Sequence, residues 1–251
     1  MECEAGGKAF PMQIHGFSKT TLLDYPEHIA ATVFTGGCNF CCPFCHNGEL
    51  VLDPGCQPVV SEEEVLAYLK KRQGILQGVC VTGGEPTLQK DLKEFLQKIK
   101  ELDYPVKLDT NGYRPGVLWE LLREHLIDYV AMDIKASREN YASAAGLKQI
   151  DLSRVEESIG ILKSSGIPYE FRTTAVKGIH TVEEFESLGR WIAGCPAYYL
   201  QSYEENENCL YRIVQAEENA VPFGAFSREE LEGMARLAGK YVGKVVLRGV
   251  E

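Results

Sequence analysis

The chain has 251 residues, 45% of them hydrophobic and 25% charged, and a net charge of −10. That is enough chain and enough apolar content for a sizeable globular core, and the acidic balance argues against a partner that needs a basic face, such as nucleic acid or an anionic membrane. No apolar run reaches the roughly 20 residues that span a bilayer, and the opening MECEAGGKAF has acids in place of a signal peptide's apolar stretch, so a cytoplasmic protein is expected.

Residues 1–12 lack periodicity and read as an N-terminal extension; residues 13–251 show no repeat, low-complexity tract or linker and read as one domain. From there strand and helix patterns alternate. IAATVF (29–34) is a β-branched apolar run, followed by SEEEVLAYLKKR (61–72), a helix with Ser61 as N-cap and Glu64 at the capping-box position. GVCV (78–81) precedes the helical LQKDLKEFLQKIKEL (88–102), and VKL (106–108) precedes VLWELLREHL (117–126). YVAMDI (129–134), YEFRTT (169–174) and YYL (198–200) continue the strands, with helices at 152–165, 181–194 and 227–240 and a last strand VVL at 245–247. Strand–helix units in series imply a parallel sheet with right-handed crossovers. About six units are too few for a closed eight-stranded barrel and suit a partial TIM barrel, with the active site at the C-terminal ends of the strands.

Nine cysteines are many for a chain in a reducing compartment, where disulfides are rare and clustered thiols serve metals or redox chemistry. Cys3, Cys56, Cys80, Cys195 and Cys209 are scattered, whereas four fall between positions 38 and 45, in TGGCNFCCPFCHN. Cys38, Cys42 and Cys45 have the spacing C-x3-C-x2-C, three thiolates that can hold three corners of a 4Fe–4S cube and leave the fourth iron open to a small molecule with an amine and a carboxylate. Gly36 and Gly37 allow a tight turn ahead of the loop, and Phe44 would shield a cluster from water. Other readings stand beside this one. Cys38 and Cys41 form a C-x2-C that could be half of a zinc knuckle completed by Cys45 or His46, or the thiols could be a redox couple.

The cysteine loop, with its aromatic residue before the last cysteine, resembles the radical SAM (S-adenosylmethionine) superfamily. The longer stretch from Ile14 to Val51, IHGFSKTTLLDYPEHIAATVFTGGCNFCCPFCHNGELV, resembles the activating proteins of glycyl-radical enzymes, in particular that of anaerobic ribonucleoside-triphosphate reductase. The resemblance implies a (β/α)6-like radical SAM core and an oxidoreductase with one 4Fe–4S cluster on Cys38, Cys42 and Cys45. It further implies flavodoxin or ferredoxin as electron donor, one-electron cleavage of SAM, and a hydrogen atom taken from a backbone glycine of the partner enzyme. A radical SAM enzyme of a free metabolite, such as a deazapurine carboxylate synthase, is the nearer alternative; a zinc-knuckle module is the remoter one.

Further motifs sit at strand ends. In VTGGEP, Gly83 and Gly84 let a backbone carbonyl approach a ligand and Glu85 can accept from an ammonium group; the resemblance places this segment on the methionine amine of SAM. In LDTNG, Asp109 and Thr110 offer oxygens and Asn111-Gly112 is a turn signal; in MDIK, Asp133 and Lys135 point to the same side of a strand. The resemblance implies SAM contacts for Asp109, Thr110, Asn111, Asp133 and Lys135, and a monovalent cation on Asp109, Thr110 and Met132. Arg172 suits a bidentate grip on the SAM carboxylate, or else an ion pair with a neighbouring acid. Where the pyruvate formate-lyase branch carries a histidine at its sixth strand end, this chain has Gln201 and Tyr203, which argues against that target. The helices leave little chain for a lid, which suits a macromolecular substrate whose own glycine loop enters the barrel.

Overall fold

A computed structural model of the protein describes residues 12–214 and 223–250. All but the last residue of the expected extension at 1–12 therefore lies outside the described residues. The strands are β1 (Ile14–Thr21), β2 (Ala30–Thr35), β3 (Gly78–Gly83), β4 (Val106–Thr110), β5 (Tyr129–Asp133), β6 (Tyr169–Ala175), β7 (Tyr198–Ser202) and β8 (Val245–Arg248). They form one sheet in sequence order, with β1 antiparallel to β2 and every later pair parallel. β1 and β8 are its two edges, so the sheet is an open, partial barrel, as the serial strand–helix pattern requires.

The helices are α1 (Gly48–Leu52), α2 (Glu62–Lys71), α3 (Leu92–Lys100), α4 (Pro115–Arg123), α5 (Tyr141–Ala144), α6 (Leu152–Ser164), α7 (Glu184–Trp191), α8 (Leu210–Val214) and α9 (Arg228–Ala238). The expected cap of α2 forms, Ser61 Oγ accepting from Glu64 N–H at 3.1 Å, and Ser227 with Glu230 closes a full capping box before α9. α3 buries Leu92, Phe95, Leu96 and Ile99, the i, i+3, i+4, i+7 stripe of an amphipathic helix. This stripe belongs to a core between the helices and the outer residues of the strands, among them Val79, Val81, Val106, Leu108, Val130, Met132 and Phe171.

Two features depart from expectation. β1 is an additional strand, with a half-exposed, bulged face toward β2 that carries no clean alternation. The strands are also not apolar throughout. Lys107 and Asp109 alternate with Val106 and Leu108 on β4, and Glu170 and Arg172 alternate with Tyr169 and Phe171 on β6. These charges face the inside of the barrel, where Glu170 accepts from Tyr129 Oη at 2.7 Å and pairs with Arg248 at 3.3 Å. No helix among the described residues is long and apolar enough to cross a membrane.

Candidate active site

The cysteine loop leaves the end of β2 and is anchored by its backbone on several sides. Gly37 has φ 77°, the left-handed region that glycine occupies without strain. Its N–H donates to Leu50 O at 2.8 Å, and its carbonyl accepts from Glu85 N–H at 2.8 Å. Gly84 N–H donates to Thr35 O at 2.8 Å, and a Cβ on Gly84 would overlap the Gly37 carbonyl. The expected reason for the GG pair was approach to a ligand; here the strands themselves approach, β3 against the start of the cysteine loop. Further along, Cys41 N–H donates to Ala145 O at 2.9 Å.

The residues expected to hold the cluster and SAM line one cavity of about 260 Å³: Cys38, Cys42 and Cys45 with Phe44, then Gly83, Gly84 and Glu85 at the end of β3, Asp109, Thr110 and Asn111 at the end of β4, Asp133 and Lys135 at the end of β5, and Arg172 on β6. Parallel strands in sequence order bring their C-terminal ends to one side, so motifs 38 to 172 along the chain become neighbours. Gln201 lines the cavity as well, while Tyr203 lies apart, its hydroxyl 3.6 Å from Cys209 Sγ. Met132 is fully buried and does not line the cavity. Cys41 also lies off the lining.

The charged residues are already engaged with one another. Arg172 Nε donates to Asp133 at 2.9 Å and its terminal nitrogen donates to Asp109 at 3.0 Å. Register explains the reach. Asp133 is opposite Arg172 on adjacent strands, and Ala131, in register with Asp109, adds no bulk between Asp109 and β6. Lys135 pairs with Asp133 at 3.0 Å, and the buried Lys107 pairs with Asp109. Burial disfavours the charge of Asp133, but Arg172 and Lys135 outweigh it and hold its carboxyl at about 2. Burial likewise opposes ionisation of Asp109, and Arg172 and Lys107 overcome it. With two cationic side chains on Asp109, its carboxylate has little charge left to offer the monovalent cation expected there.

Glu85 is buried at 1% exposure and spends both oxygens on the protein. One accepts from Thr87 N–H at 3.1 Å, Thr87 Oγ1 at 2.5 Å and Thr110 Oγ1 at 2.7 Å; the other accepts from Asn111 N–H at 2.7 Å. The carboxylate therefore ties the end of β3 to the end of β4. Glu85→Ala is expected to leave these donors unmet in a dry site and to lower stability by about 3 kcal/mol or more, at roughly 1–3 kcal/mol per unmet group. Urea unfolding of the cluster-free protein checks it; unchanged stability with weakened SAM binding would return Glu85 to the role of a direct ligand contact.

Expectation had no strap across the barrel's end, but one exists after β7. Leu210 N–H donates to Cys45 O at 2.9 Å, Tyr211 N–H to Pro43 O at 2.9 Å, Gly48 N–H to Asn208 O at 3.1 Å, and His46 Nε2 lies 2.6 Å from Glu204 O. α8 is a single turn without a periodic signature, and its bonds to the cysteine loop are all main-chain, so side-chain patterns do not announce them.

The radical SAM superfamily pattern matches residues 32–192. The chain belongs to the radical SAM superfamily. A protein of Methanocaldococcus jannaschii provisionally named a glycyl-radical enzyme activating enzyme is 30% identical over 94% of this chain and 96% of its own. A Pyrococcus horikoshii protein provisionally named a GTP 3′,8-cyclase is 30% identical over 61% of this chain and 49% of its own. Among solved structures, Streptococcus suis SuiB bound to S-adenosylmethionine superposes with a TM-score of 0.60 at 15% identity, covering 85% of this chain and 48% of that one, a likeness of fold. Membership makes the protein a radical SAM oxidoreductase and disposes of the zinc-knuckle reading.

The family implies a 4Fe–4S cluster and SAM, and the donor set of this radical SAM protein fits them. Three free thiols face one cavity, while among the described residues no three His, Cys, Asp or Glu side chains converge where a single ion would sit. Burial pushes the Cys42 thiol up to about 12, against the pull of Lys135; burial raises Cys38 as well, with Glu85 adding to it, and burial raises Cys45. The cluster-free thiols are thus protonated at neutral pH, and loading must release their protons. Cluster yield on anaerobic reconstitution is expected to be higher at pH 9 than at pH 7, with proton release measurable in weak buffer. Equal yields and no release would contradict the raised thiols.

Proposed function

We propose that this radical SAM enzyme is an activase: it takes a hydrogen atom from a backbone glycine of a glycyl-radical enzyme, with anaerobic ribonucleoside-triphosphate reductase as the partner. Flavodoxin or ferredoxin serves as electron donor, and the reaction takes place in the cytoplasm. The observation that carries this is the 30% identical relative named for glycyl-radical enzyme activation, aligned over nearly the whole of both chains. The GTP cyclase relative aligns over only about half its own length, which supports a shared core rather than a shared substrate.

Cys38, Cys42 and Cys45 hold the cluster in this reading. Bound together, the cluster and SAM supply a one-electron cleavage that starts hydrogen-atom abstraction. The chain's own groups orient and enclose. Gly83 and Gly84 set a bare backbone beside the methionine amine, with Glu85, Thr110 and Asn111 bracing that backbone from below. Lys135, Asp133, Asp109 and Arg172 form a pre-paired charged wall for the carboxylate, amine and ribose, so little reorganisation accompanies binding. Phe44, buried at 6% exposure, excludes water from the cysteine side.

The test is anaerobic mixing with the reductase. A doublet glycyl-radical signal in electron paramagnetic resonance is expected on the reductase only when this protein, SAM and an electron source are all present. SAM cleavage at the same rate with and without the reductase, and no glycyl signal, would sink the activase reading and favour a free metabolite.

A further inference from the structure

We propose that Asn39 donates a hydrogen bond from its side-chain amide to a sulfur of the bound cluster, and that Asn111 holds the amide in that orientation. The inference rests on the cluster at Cys38, Cys42 and Cys45 and is independent of the partner.

Asn39 follows Cys38 and is 2% exposed. Which end of its amide faces which way is settled by its neighbours, beginning at Tyr113. The Tyr113 N–H can only donate, and it meets Asn111 Oδ1 at 3.0 Å. Asn111 Nδ2 therefore faces the other way, 2.8 Å from Asn39 and 3.9 Å from Cys38 Sγ. An amide nitrogen has no acceptor capacity, so Asn39 must present its Oδ1 to Asn111; the flipped orientation would set donor against donor. The Asn39 NH2 group is then turned to the opposite side, where it is buried and has no partner. Buried donors without acceptors are rare in folded proteins, and each calls for an explanation such as an absent ligand.

The position supplies one. Arg72 Nε and Tyr198 Oη are also buried and unmet, but Asn39 alone sits inside the cysteine loop. The sulfur beside it already draws donors: Cys38 Sγ receives the Phe40 N–H at 3.4 Å in addition to Asn111. The sulfurs of an anionic cluster are acceptors, and N–H groups directed at them withdraw charge and raise the reduction potential. Asn39 is thus a positioning and tuning residue that leaves the chemistry to cluster and SAM.

The experiment compares wild type with Asn39→Leu and Asn39→Asp after anaerobic reconstitution, by redox titration followed with electron paramagnetic resonance. Asp keeps the oxygen that accepts from Asn111 but replaces the donor by a charged oxygen, whereas Leu removes donor and acceptor without adding charge. In each variant the cluster is expected to be harder to reduce, by about tenfold in the reduction equilibrium, or 59 mV for one electron. Asn39→Leu is also expected to lower the melting temperature of the cluster-loaded protein more than that of the cluster-free protein, because only the loaded state holds the acceptor. Variants that load four irons and titrate at the wild-type potential, or a Leu variant that melts lower by the same amount in both states, would overturn the proposal. Wild-type protein that takes up no 4Fe–4S cluster would overturn the cluster assignment and this inference with it.

Discussion

Alanine in place of Cys38, Cys42 or Cys45 is expected to abolish SAM cleavage and to leave fewer than about four irons per chain, because two thiols cannot hold three corners of a cube. The three thiols face one cavity and are free. Each is set by its own backbone anchor: Cys38 follows the Gly37 turn fixed to Leu50 and Glu85, Cys45 N–H donates to Cys42 O at 3.0 Å, and the Cys45 carbonyl is held by the strap through Leu210. Cys41→Ala is expected to keep both iron and cleavage. Cys41 is off the cavity wall, and its carbonyl packs where a Cβ on Gly146 would be. Iron and labile-sulfide assays on the four variants, with product analysis for SAM cleavage, distinguish the ligand sets. Loss of the cluster in Cys41→Ala with retention in Cys42→Ala would reverse the assignment.

Arg172→Met is expected to destabilise the cluster-free protein by about 3 kcal/mol, the lower end of the cost of breaking a buried ion pair, since each aspartate keeps one lysine. The sign of its pH dependence follows from Asp133. Its carboxyl is held at about 2 in the folded protein, below the roughly 3.9 of an unfolded chain. Its contribution to stability is therefore complete above the unfolded value and fades as the pH falls toward 2. Without Arg172 the folded carboxyl rises toward the unfolded value, so Asp133 has less stability to lose in acid and the acid limb is shallower than in wild type. Urea unfolding at pH 7 and across the acid range measures both effects, and calorimetry with SAM measures the third consequence, weakened binding at a wall whose charges have moved. If stability and its acid limb match wild type while SAM affinity falls, Arg172 acts on SAM directly and its pairs with Asp109 and Asp133 are idle.

The two variants mark different depths of legibility. The cysteine spacing, the GGE and DTNG segments and the serial strand–helix pattern are local features. Parallel strands taken in sequence order bring every strand end to one side, so local motifs at successive strand ends must meet. That is why the partial barrel, the meeting of these segments at one end of it and the cap of α2 could be read along the chain. The alternation of Lys107 with Asp109 and of Glu170 with Arg172 was equally present, yet apolar runs drew the strand boundaries and hid the charged interior.

What each side chain does at the site depended on register and direction, which no single segment contains. Arg172 grips two aspartates because β5 places Asp133 beside it and a small Ala131 on the way to Asp109. Glu85 braces β3 to β4 because its burial leaves it no acceptable state except full pairing with the donors around it. Asn39 has an unmet donor because Asn111, in the loop after β4 and fixed by the Tyr113 N–H, turns its own amide NH2 toward the Asn39 oxygen. β1 and the strap after β7 likewise join mostly through main-chain bonds to distant residues, and such bonds place no demand on side-chain type. The sequence by itself determined which residues gather at the end of the barrel; the tertiary structure decided how they pair, because hydrogen bonds and ion pairs between strands are set by cross-strand register rather than by neighbours along the chain.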